Sequence, residues 1–318
     1  MHSSLQDSDQ AILLQHSPTP LTDVKLPLVL HWRNGGNMPF TIEANPKLVA
    51  IDNNVYIGGG ITFNTKRRVV IVYNLRSQLW NELPSYECYC FGMAEINKQL
   101  VVIGGISSEG RRSNNLGVWD EKKGSWTHPF PPMPTPRSSP SAVSYDHWLV
   151  VAGGNNSARN YLATVEVLNT TIKEWCKATS LPMGCSHTTS AVMGNMWYLL
   201  GGDYRESRTR DKCFSVCLDN LIYNAISHTP SESSPWQTLP DTPLRLSSAL
   251  TVKGTLLAVG GFWNEFFIDS RIYLPTRAGS ILASYLLKGL IVVAQCSPVG
   301  RCSLLVVPTV VNVWTLPL

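Results

Sequence analysis

An apolar run closing on a glycine pair recurs five times in this chain, as Val55-Tyr56-Ile57-Gly58-Gly59, Val101-Val102-Ile103-Gly104-Gly105, Val150-Val151-Ala152-Gly153-Gly154, Tyr198-Leu199-Leu200-Gly201-Gly202 and Leu257-Ala258-Val259-Gly260-Gly261. Successive second glycines stand 46, 49, 48 and 59 residues apart. A tryptophan follows at an offset of 21 in the first three copies, giving Trp80, Trp126 and Trp175. Self-similarity at this period means an array of structural units, none of which buries its apolar face alone.

Each unit reads as four short strands. A small or apolar run such as Ser141-Ala142-Val143 meets a polar turn such as Asp52-Asn53-Asn54, and the glycine-ended run completes a hairpin. A polar loop leads to a third run, Val70-Ile71-Val72-Tyr73-Asn74 or Val165-Glu166-Val167-Leu168-Asn169. After a turn comes the tryptophan strand, which leaves through Leu83-Pro84, Leu181-Pro182 or Leu239-Pro240. No ten-residue helical periodicity intervenes, which argues against βαβ units and for an antiparallel all-β array.

A glycine pair, a later Asp or Asn, a Trp six residues on and Leu-Pro, in units of this length, together resemble the kelch repeat. The resemblance covers Pro46 to Gly261 and implies a β-propeller, four-stranded blades around a central channel. The expected fold is a six-bladed kelch β-propeller over residues 29–318 behind an N-terminal tail, 1–28. Five blades carry a glycine pair. The sixth is shared between Val29-Leu30-His31-Trp32, supplied by the N-terminus as outer strand, and a stretch beginning near Arg301, so that the ring closes without an open edge. It lacks a glycine pair, and Ile281 stands where blade five would carry its tryptophan, so the part from about residue 276 is expected to be irregular.

Scaffold roles fall to Gly58, Gly59, Gly104, Gly105, Gly153, Gly154, Gly201, Gly202, Gly260 and Gly261, where blades approach closely with positive φ. Trp80, Trp126, Trp175 and Trp236 are the plates expected to fill the wedges between blades. From Asp120 to Trp126 and from Asn169 to Trp175 the step is six residues, but from Asp219 to Trp236 it is seventeen. That insertion, ending in the Ser- and Pro-rich His228 to Pro235, is expected to be an exposed flexible loop.

Function is narrowed first by exclusion. Lys and Arg exceed Asp and Glu by only four, too little for a nucleic-acid binder driven by phosphate contacts. No run reaches the roughly 18 to 20 apolar residues of a membrane span. Met1-His2-Ser3 opens no signal peptide, and eight cysteines outside any zinc-knuckle spacing read as reduced thiols of a cytoplasmic protein. The seven histidines form no His-x-x-x-His pair, and neither a Walker motif nor a Gly-x-Ser-x-Gly elbow occurs. His187 beside Cys185 comes nearest to a Cys/His nucleophilic pair, but the sequence offers no orienting carboxylate or oxyanion hole, so His187 reads as packing or hydrogen bonding at the channel mouth. No catalytic residue, metal or cofactor is expected.

Topology then sorts the charges. With four antiparallel strands per blade, the loop after strand two and the link from strand four to the next blade emerge on one face. The loops hold Lys66, Arg67, Arg68, Arg111, Arg112, Arg159, Arg205, Arg208, Arg210 and Lys212; with Arg271 these eleven cations meet six carboxylates, a net +5 against +4 for the whole chain. The links add Arg137, Arg245 and Arg301. Guanidinium groups fork onto carboxylates beside a water-filled mouth. The expected partner is therefore an acidic peptide or acidic protein segment, bound through Arg67, Arg68, Arg111, Arg112, Arg137, Arg159, Arg205, Arg208, Arg245 and Arg301.

The expectation is a non-enzymatic protein-interaction module. The resemblance implies a substrate adaptor of the cullin-type ubiquitin ligases or an actin and cytoskeletal adaptor, here with too little chain before the first unit for a BTB domain. The alternative is an enzyme on the same scaffold acting on a sugar or small molecule in the channel.

Overall fold

The computed structural model describes residues 42–43, 46–62, 65, 67–157, 160–204, 212–227 and 233–239, and outside them residues 38–39 and the strands named below. Among these residues lie four complete antiparallel blades of four strands. The first is Lys47–Ile51, Asn54–Gly58, Val70–Asn74 and Trp80–Leu83. The second is Gly92–Ile96, Gln99–Ile103, Leu116–Asp120 and Ser125–Thr127. The third is Ser141–Tyr145, Trp148–Ala152, Val165–Asn169 and Glu174–Ala178. The fourth is Thr189–Met193, Met196–Leu200, Cys213–Cys217 and Gln237–Leu239. The first strands of successive blades lie side by side.

Burial follows from the blade stack. Second strands are near-continuous apolar runs because a neighbouring blade covers each face, and Leu100, Val101, Val102 and Ile103 are all buried. One apolar core packs Val70 and Val72 of blade one against Leu100 and Val102 of blade two, with Trp126 at its edge. Another joins Val101 and Val118 to Leu149 and Val151 of blade three, with Trp175 against it. A third joins Val150 and Val167 to Trp197, Phe214 and Trp236 of blade four. Trp126, Trp175 and Trp236 thus lie against cores shared by two blades, whereas Trp80 packs on Val55, Ile57 and Ile71 of its own blade.

The glycine corners let links from two blades settle on one spot. A Cβ on Gly104 (φ +65°) would lie 2.3 Å from the Arg137 carbonyl oxygen of the next link, and one on Gly105 (φ +109°) 2.8 Å from that of Tyr89 in its own link. Gly153 and Gly154 repeat the arrangement against the carbonyls of Cys185 and Ser138. The Asp or Asn six residues before each tryptophan has its own cause. Asn74 Oδ1 accepts from the Arg76 and Ser77 amides, Asp120 Oδ1 from those of Lys122 and Lys123, and Asn169 Oδ1 from those of Thr171 and Ile172. These caps build the turn into the outer strand.

Two features depart from expectation. The insertion in blade four opens as a helix, Leu218–Ser227, which buries Leu218, Leu221, Ile222 and Ala225 in the third core. That i, i+3, i+4, i+7 spacing is an apolar helical stripe, and packing it overrides the loop-like composition that follows. Residues 228–232 of the Ser- and Pro-rich stretch lie outside the described residues.

The second departure concerns the ends. Arg245–Val252, Thr255–Trp263 and Phe266–Phe267 form a three-stranded sheet, and Ser270–Tyr273 pairs with Ile281–Tyr285. Leu290–Cys296 pairs with Cys302–Pro308, and the N-terminal strand Leu30–Asn34 joins them with Trp32 opposite Leu304. It joins in parallel, as the third strand, with Ala11–Ile12 on its far side. No hairpin connects Leu30–Asn34 to its neighbour, so no turn imposes the antiparallel sense of the other blades. The six blades expected thus correspond to four complete blades and these less regular sheets.

Candidate functional site: the polar mouth of the propeller

On the face bearing the loops after the glycine pairs, each link pairs with the residue following its blade's second glycine. Tyr89 pairs with Ile106, Ser138 with Asn155 and Ser186 with Asp203. The next link residue is left-handed without being glycine: Cys90 (φ 52°), Ser139 (φ 51°) and His187 (φ 58°). Their backbones join hand to hand around the mouth. The Cys90 amide donates to the Gly59 carbonyl at 2.6 Å, that of Ser139 to Cys90 at 2.6 Å, and that of His187 to Ser139 at 3.2 Å. Conformations this sparsely populated persist where the surroundings over-determine them, and they cluster at functional sites.

The side chains continue the collar. Asn155 Oδ1 accepts from Arg112 Nη2 and Ser138 Oγ, both at 3.0 Å, while its Nδ2 donates to Ser186 Oγ at 3.1 Å. His187 Nε2 lies 3.0 Å from Ser139 Oγ, and its Nδ1 lies 2.9 Å from Ser186 Oγ and 3.2 Å from Asp203 Oδ2. Lys47 Nζ, from blade one, donates to the Thr188 carbonyl of blade four at 2.9 Å. Burial pushes the Cys90 thiol up, against a hydrogen bond to Ser139 and the charges of Lys47 and Arg112. The inner strands line a cavity of about 540 Å³, bordered by Ala50, Glu95, Ala142, Ser190, Val192 and Ala249.

The arginines expected on this rim divide. Arg67 pairs with Glu82, Arg68 donates to the Glu87 carbonyl and lies 5.9 Å over the Tyr89 ring, and Arg111 pairs with Glu109 at 2.5 Å. Arg111 is 81% exposed and Arg67 51%, so these two are open to a partner. Arg112 is drawn in to the collar. Arg159, Arg205, Arg208 and Arg301 lie outside the described residues, and Arg245 opens the strand Arg245–Val252.

Arg137 is a correction. Expected on the rim, it is fully buried. Its Nη2 lies 2.9 Å from Glu166 Oε2, its Nη1 donates to the Gly153 and Thr164 carbonyls at 2.8 and 3.1 Å, and Nη2 also reaches Thr164 Oγ1 at 3.1 Å. Desolvation pulls its pKa down while Glu166 works against that shift. The link passes under the glycine corner, so this guanidinium ties blade two's exit to blade three instead of meeting a ligand. Cys185, next to His187 in the sequence reading, is also buried, and its thiol is pushed up to about 12 by desolvation; His187 turns to Ser139 and Asp203.

Sequence reasoning missed Lys47, Ser139, Asn155 and Asp203. One signal was available: the residue after each second glycine changes from Gly60 and Ile106 to the polar Asn155 and Asp203 in blades three and four. Among the described residues no group of three or more His, Cys, Asp or Glu side chains is arranged to hold a metal, and no helix is long and apolar enough to cross a membrane.

Stacked four-stranded blades, glycine corners and a polar mouth define a propeller-type repeat protein. The family model described as the KLHDC2/KLHL20/DRC7 Kelch-repeats domain matches residues 45–261, and the chain belongs to this kelch-repeat family. It is 23% identical over 247 residues to Kelch-like protein 40 of Xenopus laevis, covering 74% of this chain and 38% of that protein. It is 19% identical over 237 residues to Kelch repeat and BTB domain-containing protein 1 of Vaccinia virus (strain Copenhagen), covering 73% of this chain and 39% of that protein. Alpha-scruin of Limulus polyphemus is 26% identical over 161 residues, covering 46% of this chain and 17% of scruin. The chain thus spans less than two fifths of the length of these relatives. The solved structure of YjhT superposes with a TM-score of 0.63 at 14% identity, over 85% of this chain and 93% of that one, a likeness of fold.

Proposed function

We propose that this kelch propeller is a protein-interaction module that takes an acidic segment of a partner at its polar mouth. The carrying observation is Arg112, drawn over the mouth by Asn155, with its Nε buried and without a hydrogen-bond partner among the described residues. A buried guanidinium donor left unmet is costly, and an incoming carboxylate would satisfy it with a charge-assisted bond. Lys47 adds a second cation across the mouth, and the exposed Arg67 and Arg111 add steering charge at the rim. Arg68 also belongs to this surface, and Arg159, Arg205, Arg208, Arg245 and Arg301 are assigned to it from the sequence alone; Arg137 does not belong to it.

Kelch-like relatives support the finer reading of a substrate adaptor in a cullin-type ubiquitin ligase, working in the cytoplasm, where buried thiols such as Cys88 and Cys213 stay reduced. Similarity to alpha-scruin supports a cytoskeletal adaptor as the second reading. Affinity capture from cell extract with wild-type protein and with an Arg111→Glu/Arg112→Glu variant tests the proposal. Partners lost on charge reversal should share exposed acidic segments. An identical partner set for both proteins would remove it.

A further inference from the structure

Ser139, His187 and Asp203 stand at the mouth in an order that interaction alone does not require. Ser139 Oγ lies 3.0 Å from His187 Nε2, and Asp203 Oδ2 lies 3.2 Å from His187 Nδ1. Nδ1 is shared between Asp203 and Ser186 Oγ at 2.9 Å, and with the carboxylate beside it the tautomer protonated there is favoured, leaving Nε2 to accept the serine proton. The three come from two adjacent blades: Ser139 from the link into blade three, and His187 and Asp203 from the link into blade four and the loop after that blade's glycine pair. Ser139 is held at φ 51° in a sharp link, as a serine on a strained turn is held when its hydroxyl must be presented.

The geometry points to a second activity at this mouth: Ser139 is a nucleophile activated by His187, with Asp203 positioning the imidazole, and its substrates are small carboxylic esters bearing an anionic group. In the first step Ser139 Oγ bonds to the carbonyl carbon as its proton passes to His187 Nε2 and the carbonyl π pair moves onto oxygen. On collapse the bond to the alcohol oxygen breaks, and the departing alcohol takes the proton from Nε2. Water, deprotonated by the same nitrogen, then releases the acid and restores Ser139.

The surroundings also set the limits of this chemistry. Pro140, the residue after Ser139, has no amide proton, and the Ser139 amide is occupied by the Cys90 carbonyl. Neither of these two backbone positions offers a donor, so the developing oxyanion is assigned to side chains. Arg112, with its unmet Nε, and Lys47 are the cations at hand, and both act on the Cys90 thiol that bonds to Ser139. These same cations choose an anionic substituent. Ser139 is 3% exposed, whereas the side chains of His187 and Asp203 are 21% and 18% exposed. A substrate must reach past the base, and small ones react first.

The test uses the full chain and a short-chain alkyl fluorophosphonate, which phosphonylates an activated serine as the P–F bond breaks and fluoride leaves. Peptide mapping should place the adduct on Ser139 of the folded protein and find none after unfolding in urea. The labelling rate should rise with pH through one imidazole ionisation. His187→Asn should slow it about 100-fold and Asp203→Asn about 10-fold, with the thermal transition retained. A bulky fluorophosphonate should label more slowly than the short one. Should His187→Asn fail to fold, the wild-type pH profile and Asp203→Asn still decide. An unlabelled Ser139 in folded protein, an adduct on Cys90 instead, or a rate indifferent to pH or to His187→Asn overturns the assignment. None of these outcomes depends on whether an acidic partner binds.

Discussion

Trp126 of blade two donates from Nε1 to the carbonyl oxygen of Pro84, where blade one ends, at 2.8 Å. The bond recurs one blade on, from Trp175 to Pro131 at 3.1 Å, and again from Trp236 to Thr179 at 3.0 Å. The repeated indole is thus a plate in the wedge and also a hydrogen-bonded staple to the preceding blade. Trp126→Phe keeps most of the plate and loses the staple, so it should cost about 1 kcal/mol of stability. Trp126→Ala should cost about 3 kcal/mol or more. Chemical denaturation of both variants checks the split; a Trp126→Phe variant as stable as wild type would mean that the bond contributes nothing.

The pair Arg137 and Glu166 predicts a different pattern. Removing one partner of a buried ion pair leaves an uncompensated charge, so Arg137→Met and Glu166→Met should each cost about 3 to 5 kcal/mol. The double variant Arg137→Met/Glu166→Met should recover much of that loss. A double-mutant cycle measured by denaturation reads the coupling directly.

Positive φ alone is not what fixes the glycine pair. Gly124 (φ +61°) has open space around its missing Cβ. At the equivalent turn positions Gln78 (φ 57°) and Lys173 (φ 61°) adopt the same backbone. Gly124→Ala should therefore cost only about 1 to 2 kcal/mol. Gly104→Ala adds a clash with backbone, the Arg137 carbonyl at 2.3 Å, and should exceed that cost or prevent folding. Comparing soluble yield and melting temperature of the two variants checks this.

The glycines and tryptophans were readable because the period of the array is written linearly, and each motif residue acts within its own unit or on an adjacent one. The helix Leu218–Ser227 was hidden by averaging. Its stripe of Leu218, Leu221, Ile222 and Ala225 is in the sequence, but the Ser-Pro stretch behind it dominates the composition of the insertion. Arg137 was assigned to the correct link and the wrong depth, since topology gives a side of the disc but not whether a side chain points over or under a glycine corner. Ser139 and His187 stand 48 residues apart, and only the closing of one blade against the next brings them into contact.

A pH effect follows from Cys185. Its thiol, ordinarily near 9.0, is pushed up to about 12 by burial. The folded state therefore holds a proton that the unfolded chain gives up above about pH 9. Stability contributed by this group is intact below pH 9 and falls as pH rises toward 12, by about 1.4 kcal/mol per pH unit at most. Cys185→Ala should flatten that alkaline slope in urea titrations between pH 8 and 10.5. An unchanged slope would place the titrating group elsewhere.

The central claim, that the mouth selects acidic segments, is tested most directly by fluorescence anisotropy with fluorescein-labelled peptides of paired sequence, one rich in Asp and Glu and its counterpart carrying Asn and Gln. Wild-type protein should bind the acidic member alone, more weakly as salt rises. Arg111→Glu/Arg112→Glu should abolish the signal, and Lys122→Glu, in a turn on the opposite face, should leave it intact. Equal binding of both peptides, or binding that survives reversal of Arg111 and Arg112, would contradict the account.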